Sequence, residues 1–144
     1  MIAGFIFGCF VFLVVWGLSI GRRKIEISMG KARVRDNADE AEKGNHEALY
    51  KTAEAYLFFM NKSEEDIYKG IHAVTQAFIC GHDREACMTV CCIANDKPDE
   101  IFIKKELEDR KKELELGTIT QEQYDAIDIF LNEWYHKYDD RDDD

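Results

Sequence analysis

Cys80, His82, Cys87, Cys91 and Cys92 crowd into thirteen residues of a 144-residue chain. Three thiolates and an imidazole can hold zinc in a tetrahedron. Cys80 and His82 stand at a turn, and Cys87 and Cys91 are one turn apart on the helix it feeds. The spacing is not the paired C-x2-C of a zinc knuckle, so Cys80, His82, Cys87 and Cys91 are weak ligand candidates and no metal is assigned. A Cys80–Cys87 disulfide and a reactive thiol are further chemistries these residues offer. A cytoplasmic compartment keeps such thiols reduced. The plainest use of cysteine is as a small, buried, weakly polar packing residue. Cys9 lies in an apolar run and reads as packing.

The other reactive side chains form no constellation. His46, His72, His82 and His136 are scattered, with no serine or acid at a telling spacing. His72 reads as a partly exposed packing residue rather than a base. Gly30-Lys31-Ala32 lacks the preceding glycine and the Ser/Thr of a phosphate loop. The expectation is a protein that is not an enzyme and uses no cofactor.

The elements that position these residues begin with Ile2 to Ile20, which carries no charged side chain. About 20 apolar residues span a hydrocarbon core of about 30 Å. No basic residue precedes the run, and Arg22-Arg23-Lys24 follows at once, which suits an anchor rather than a cleaved signal. The positive-inside rule keeps that flank in the cytoplasm. Residues 1–21 are therefore expected to be a single-pass anchor in the inner (cell) membrane, with the N-terminus outside and the soluble domain cytoplasmic. Gly4 and Gly8 have the small-xxx-small spacing that lets membrane helices associate, as do Gly17 and Gly21.

Residues 22–37 form a basic juxtamembrane segment without a clear period, suited to anionic headgroups or to setting topology alone. Beyond it the sequence reads as helix throughout. Ala48, Thr52, Ala53 and Tyr56 share one face. Asn61-Lys62 breaks that helix, and Ser63-Glu-Glu-Asp66 opens the next as a capping box. The second helix carries Ile67, Ile71, Val74, Ala77 and Phe78 and is expected to end at Gly81 in a left-handed cap. A third runs from about Asp83 to Ala94, before the break Asn95-Asp-Lys-Pro98. A fourth runs to Leu116 and is closed by Gly117. Thr120 caps the last, whose apolar face is Tyr124, Ile127, Phe130, Leu131 and Trp134. Residues 139–144 form an acidic tail.

Gly44, Gly81 and Gly117 punctuate these units at intervals of 37 and 36 residues, a period typical of helix-pair solenoids. Gly44, Ala48, Ala53 and Tyr56, then Gly70-Ile71 and Ala77 before Gly81, resemble the Sel-one-like repeat, a relative of the tetratricopeptide repeat. Thr52 stands where that pattern has leucine and Phe78 where it has a second alanine. Gly81, Ala86, Val90, Cys91 and Ala94 start another unit, with one extra residue before Ala86. Ala41 fits as the remnant of an earlier helix. The likeness covers about residues 38–95. It fades before Gly117, where Glu106 and Glu113 fill the small positions. Cys91 falls where the repeat has a small residue, which favours the buried thiol. Cysteine-rich members of that family staple helices with cysteines spaced and placed differently from Cys80 and Cys87.

Residues 104–134 are similar to the short C-terminal domain called SHOCT, in Leu107, Leu114, Gly117, Ile119, Thr120, Glu122, Gln123, Tyr124 and Leu131. Gln123 stands where an acid is usual and Asp128 where a lysine is expected. That module sits at the ends of bacterial proteins, often membrane-attached ones, and is thought to mediate oligomerisation or interaction.

Together these readings imply an all-α chain: a transmembrane helix, a short helix-turn-helix repeat array over 38–97 and a C-terminal helical hairpin over 98–138. Solenoids hold peptides or helices on a concave face. Here that face would carry Tyr50, Glu54, Tyr56, Phe58, Arg84 and Met88, unless the aromatics are core and the charges solvated surface. The expected role is a membrane-anchored adaptor or scaffold for another protein, itself membrane-associated, with self-assembly open. The alternatives are an immunity-type or inhibitory protein that blocks a toxin or enzyme, and a thiol- or zinc-based sensor. The net charge of −10 argues against nucleic acid, whose phosphates it repels.

Overall fold

The computed structural model describes residues 2–60, 63–81, 83–93 and 99–137. The breaks expected at Asn61-Lys62 and Asn95 to Pro98, His82, and the acidic tail lie outside them. The described residues are all-helical: α1 (Ile2–Glu42), α2 (His46–Glu54), a π-helical turn (Ala55–Phe59), α3 (Glu64–Gly81), α4 (Arg84–Ile93), α5 (Glu100–Glu115) and α6 (Gln121–His136).

The first helix is long and apolar enough to cross a membrane, and none of its apolar window is buried against the rest of the chain. At 1.5 Å per residue its 41 residues extend about 60 Å, twice a hydrocarbon core. The juxtamembrane stretch, which has no clear period in the sequence, is helical, and its packing explains why. Most helical stability in proteins comes from a tertiary partner rather than from propensity, and residues 22–42 have one in α2 and the π-turn. Gly30 is buried there: a Cβ at this position would stand 2.9 Å from Phe59 Cβ. Arg33 Nη1 donates to Glu54 Oε2 at 3.0 Å, with its guanidinium 4.7 Å from the Phe59 ring centre. Arg23 Nη2 donates to the Met60 carbonyl at 2.6 Å.

The helix ends where the sequence places a glycine. Gly44 has φ +83°, and the amides of Gly44 and Asn45 donate to the Ala41 and Glu40 carbonyls at 3.0 Å each, a Schellman closure that favours glycine. Asn45 then caps α2 by accepting from the Ala48 amide at 3.2 Å. Gly117 closes α5 in the same way, with φ +76° and amide bonds from Gly117 to Leu114 and from Thr118 to Glu113. Thr120 and Gln123 make a full capping box at the start of α6. Gly81 is different. It is the last residue of α3 and is absent from the positive-φ glycines, so the expected left-handed cap is not formed. The reason for glycine here is proximity: a Cβ would lie 2.8 Å from His46 Cβ.

The core is organised around α3, which packs against α2, the π-turn, α4, α5 and α6. Ile71, Val74 and Ala77 from α3 are fully buried with Ala53, Cys87 and Cys91, and with Ile127, Phe130 and Leu131 from α6. Phe78 stacks on Phe130 with ring centres 5.2 Å apart. One apolar cluster thus runs across the boundary expected at residue 98.

Candidate functional site

Two regions hold the residues capable of chemistry. The first is the cysteine group. Cys9, Cys80 and Cys87 are free thiols, and no group of three metal-ligating side chains occurs among the described residues. Cys80 is exposed at the end of α3, accepting from Gln76 Nε2 at 3.6 Å. Its sulfur faces Gly44, where an added Cβ would lie 3.2 Å away. Cys87 and Cys91 are fully buried in the core. The Cys87 thiol is oriented toward the Val74 carbonyl at 3.7 Å and the Tyr50 hydroxyl at 3.8 Å. Burial pushes the Cys87 thiol up to about 11, with partial relief from the Tyr50 hydroxyl and a further upward push from Asp83. A thiol so placed is a poor nucleophile and a poor metal ligand, because both roles need the thiolate. Alkylation of the folded chain at neutral pH should therefore modify Cys80 while modifying Cys87 about a hundredfold more slowly than an ordinary exposed thiol. Peptide mass mapping of labelled native and denatured protein checks this; rapid native labelling of Cys87 would show it to be accessible.

The second region was not singled out as a unit by sequence reasoning. Glu106 and Arg110, one turn apart on α5, are both fully buried against α3. Every N–H of the Arg110 guanidinium has an acceptor. Nε donates to Glu106 Oε1 at 2.8 Å, Nη1 to Gln76 Oε1 at 2.9 Å and Glu113 Oε2 at 2.7 Å, and Nη2 to Thr75 Oγ1 at 2.8 Å and the His72 carbonyl at 3.2 Å. Glu106 accepts in addition from Thr75 Oγ1 at 2.5 Å, and His72 Nδ1 lies 3.0 Å from its Oε2, so Nδ1 carries the proton toward the carboxylate. Burial alone would raise the Glu106 carboxyl; the His72 bond, the charges of His72 and Arg110 and the Thr75 hydroxyl together outweigh it and hold the group below the ordinary range. Beside this network the Tyr68 hydroxyl donates to Asp109, and Lys105 lies 4.1 Å over the Tyr68 ring.

The chemistry of the network is structural. Arg110 has no donor left for a substrate, and Glu106 already accepts three bonds, so neither is poised to transfer a proton. Its sequence signal was the presence of Glu106 and Glu113 at positions where the repeat pattern has small residues. His72, read as a packing residue, supplies the half-exposed edge of the cluster.

The residues expected to line a concave face do not all converge. Tyr50 and Met88 both pack against the core, and Tyr50 adjoins Cys87 across the α2–α4 contact. Arg84 lies on α4, one turn before Met88, and pairs with Glu133 of α6. Glu54 turns to α1, where it pairs with Arg33. Tyr56 sits on the π-turn with the Lys69 ammonium 5.8 Å from its ring. Phe58 is exposed on the same turn. Gly4 and Gly8 lie on the unburied part of α1, with nothing within 4 Å of an added Cβ.

Comparison with protein-family models, curated proteins and solved structures finds no match to this chain.

Proposed function

We propose that this chain is a membrane-anchored helical adaptor that binds another protein at the cytoplasmic face of the membrane. The observation that carries the reading is the continuity of α1: an apolar run with no internal partner passes without interruption into a helix that packs on the soluble domain. A protein built this way holds its domain at a fixed distance from the bilayer rather than on a flexible tether. In this reading α2 and α3 form one Sel-one-like unit, α4 begins the next, and α5 with α6 form the SHOCT-like hairpin. The partner docks across α2 and α4, where Tyr50, Arg84 and Met88 lie. The saturated network between α3 and α5 serves to fix the array, and the anchor supplies location.

Crosslinking capture from membranes tests this, comparing the intact chain with one carrying Arg84→Ala and Met88→Ala. Circular dichroism establishes that the variant folds. The expected result is one protein captured by the intact chain and reduced about tenfold or more with the variant, since losing two central contacts costs at least about 1.4 kcal/mol. Equal capture by both removes the α2–α4 face from consideration. Recovery of this chain alone replaces the adaptor by a self-assembling protein.

A further inference from the structure

Beyond the apolar run, α1 carries apolar residues on two opposite faces, and the domain covers one of them. Arg23, Ile27, Gly30, Val34 and Ala41 follow one another at steps of three, four or seven residues and are buried or half-buried where α1 meets the domain. The other face holds Leu18, Gly21, Ile25, Ser28 and Ala32, also at three- and four-residue steps, with Met29 at its edge. There Ile25 is 61% exposed and Met29 48%. Gly21 has nothing within 4 Å of an added Cβ, which leaves a groove lined by Gly17, Leu18, Gly21, Arg22, Ile25 and Glu26. Lipid does not cover this whole face. At 1.5 Å per residue, Ile25 and Met29 stand about 8 and 14 Å past Ile20, and the polar layer of a bilayer is roughly 5–8 Å deep. Acyl chains cannot reach Met29; only protein can cover it.

Resting on the reading of α1 as a membrane span, we infer that this face is a seam between two copies of the chain, paired in parallel from Leu18 to Asp36. Copies inserted in one direction can bring α1 against α1 only in parallel. Leu18, Ile25 and Ala32 recur every seven residues with Gly21 and Ser28 between them, the spacing of a left-handed helix pair. The flanking positions then meet as Gly17 with Arg22, Lys24 with Met29, and Lys31 with Asp36 of the second copy. None of these sets like charges together. Lys31 is exposed and has no partner among the described residues. Asp36 is exposed and meets its neighbour Arg35. The pairing gives each Lys31 a counter-charge, once on either side of the two-fold axis, and lays the Lys24 stem over Met29. Gly21 lets the backbones approach closely where the helices leave the hydrocarbon. Gly4 and Gly8 take no part, since at 100° per residue they lie about 140° round the helix from Gly17 and Gly21. Because the domain packs on the other side of α1, pairing does not cover it, and the adaptor presents two α4 faces to its partner.

The test uses the full chain in its membrane with Cys9→Ser, Cys80→Ser and Cys92→Ser, which leaves Cys87 and Cys91, both buried. Ile25→Cys or, on the domain side, Ile27→Cys is then added, with circular dichroism to check the fold, and the membranes are treated briefly with copper phenanthroline. A disulfide needs the two Cβ atoms within about 4.5 Å, so Ile25→Cys should give a covalent dimer about tenfold more readily than Ile27→Cys. Adding Lys31→Asp should lower that yield about fivefold, and Asp36→Lys on top of it should restore it. Equal, low yields from the two cysteine sites, in a chain that resists alkaline extraction from the membrane, overturn the seam and leave the span standing. Crosslinking of Ile25→Cys to a different protein overturns the second copy as occupant. Failure of Asp36→Lys to restore the yield overturns the parallel register. Release of the chain by alkaline extraction overturns the span and with it the inference.

Discussion

Glu106→Gln should lower the unfolding free energy by up to about 3 kcal/mol, the low end of the cost of breaking a buried ion pair, because Arg110 keeps Glu113 as a partly exposed counter-charge at 2.7 Å. The amide keeps the shape of the carboxyl but not its charge, and Arg110 stays fully buried with no exposed route to water. Its Nε would face a neutral oxygen, and His72 Nδ1 and Thr75 Oγ1, both donors to the carboxylate, would compete for that oxygen with an NH2 group in the same space. The sign of the pH dependence follows from the same contacts. The folded carboxyl sits below its ordinary value of 4.5, so the unfolded chain takes up protons first as pH falls. The stabilisation is therefore complete above about pH 5 and is lost as pH drops below 4.5 and through the folded value. Asp109, lowered chiefly by the Tyr68 hydroxyl, adds to the same slope. Denaturant unfolding of the full chain in detergent micelles, followed by near-ultraviolet circular dichroism at pH 7 and pH 4, measures both effects. Glu106→Gln should be weaker at pH 7 and show a shallower pH slope. Replacing both partners, Glu106→Leu with Arg110→Met, should recover most of the loss, because no unpaired charge remains. If the single variant costs under about 1 kcal/mol, the pair behaves as a surface pair and the network is not what joins α5 to α3.

Why the sequence conceals that network is plain from its setting. Glu106 and Arg110 lie in a run of acids and bases from Lys104 to Glu115, where an i,i+4 pair normally means a solvated face. Nothing in that spacing says that Thr75, His72 and Gln76 lie opposite, because the contact joins residues more than thirty apart. The reverse holds for α6. Its period is clean, and of the five residues expected on its apolar face Ile127, Phe130, Leu131 and Trp134 are buried, while Tyr124 is half-buried. On α3, Ile71, Val74 and Ala77 are buried and Ile67 and Phe78 flank them. Caps are equally legible when they are chemical: Ser63 accepts from the Asp66 amide at 3.2 Å, and Thr120 makes its box. Glycines are less so. Gly44 and Gly117 take the left-handed turn, but Gly81 answers to His46 on another helix, which no local pattern encodes. The continuation of α1 past Lys24 was hidden for a related reason. Its helical order is enforced by Gly30, Arg23 and Arg33 meeting the π-turn, and a π-turn has no sequence signature that separates it from the end of α2. Of the candidate partner residues, Glu54 looked free because its partner, Arg33, belongs to that hidden segment.

Trp134→Ala should cost about 3–5 kcal/mol, and the way in which it destabilises the chain bears on what the protein is. Trp134 is only 2% exposed and belongs to the apolar cluster shared by α2, α3, α4, α5 and α6. If the C-terminal helices were a detachable module, truncating this side chain would loosen α5 and α6 and leave α2 to α4 protected. A shared core predicts otherwise: amide hydrogen exchange, followed by mass spectrometry, should show α3 losing protection together with α6 in one cooperative step. Trp134→Phe separates packing from hydrogen bonding. The indole Nε1 is buried without an acceptor among the described residues, a situation that costs about 1–3 kcal/mol relative to a satisfied donor. Phenylalanine removes that donor while keeping most of the ring, so it should cost well under half of what alanine does. Equal losses for the two substitutions would mean that the indole nitrogen carries a contact of its own. Exchange confined to α5 and α6 would instead restore an independent C-terminal module. A single cooperative loss makes the helical body one unit, in which a change at α6 is felt at α3 through the same core.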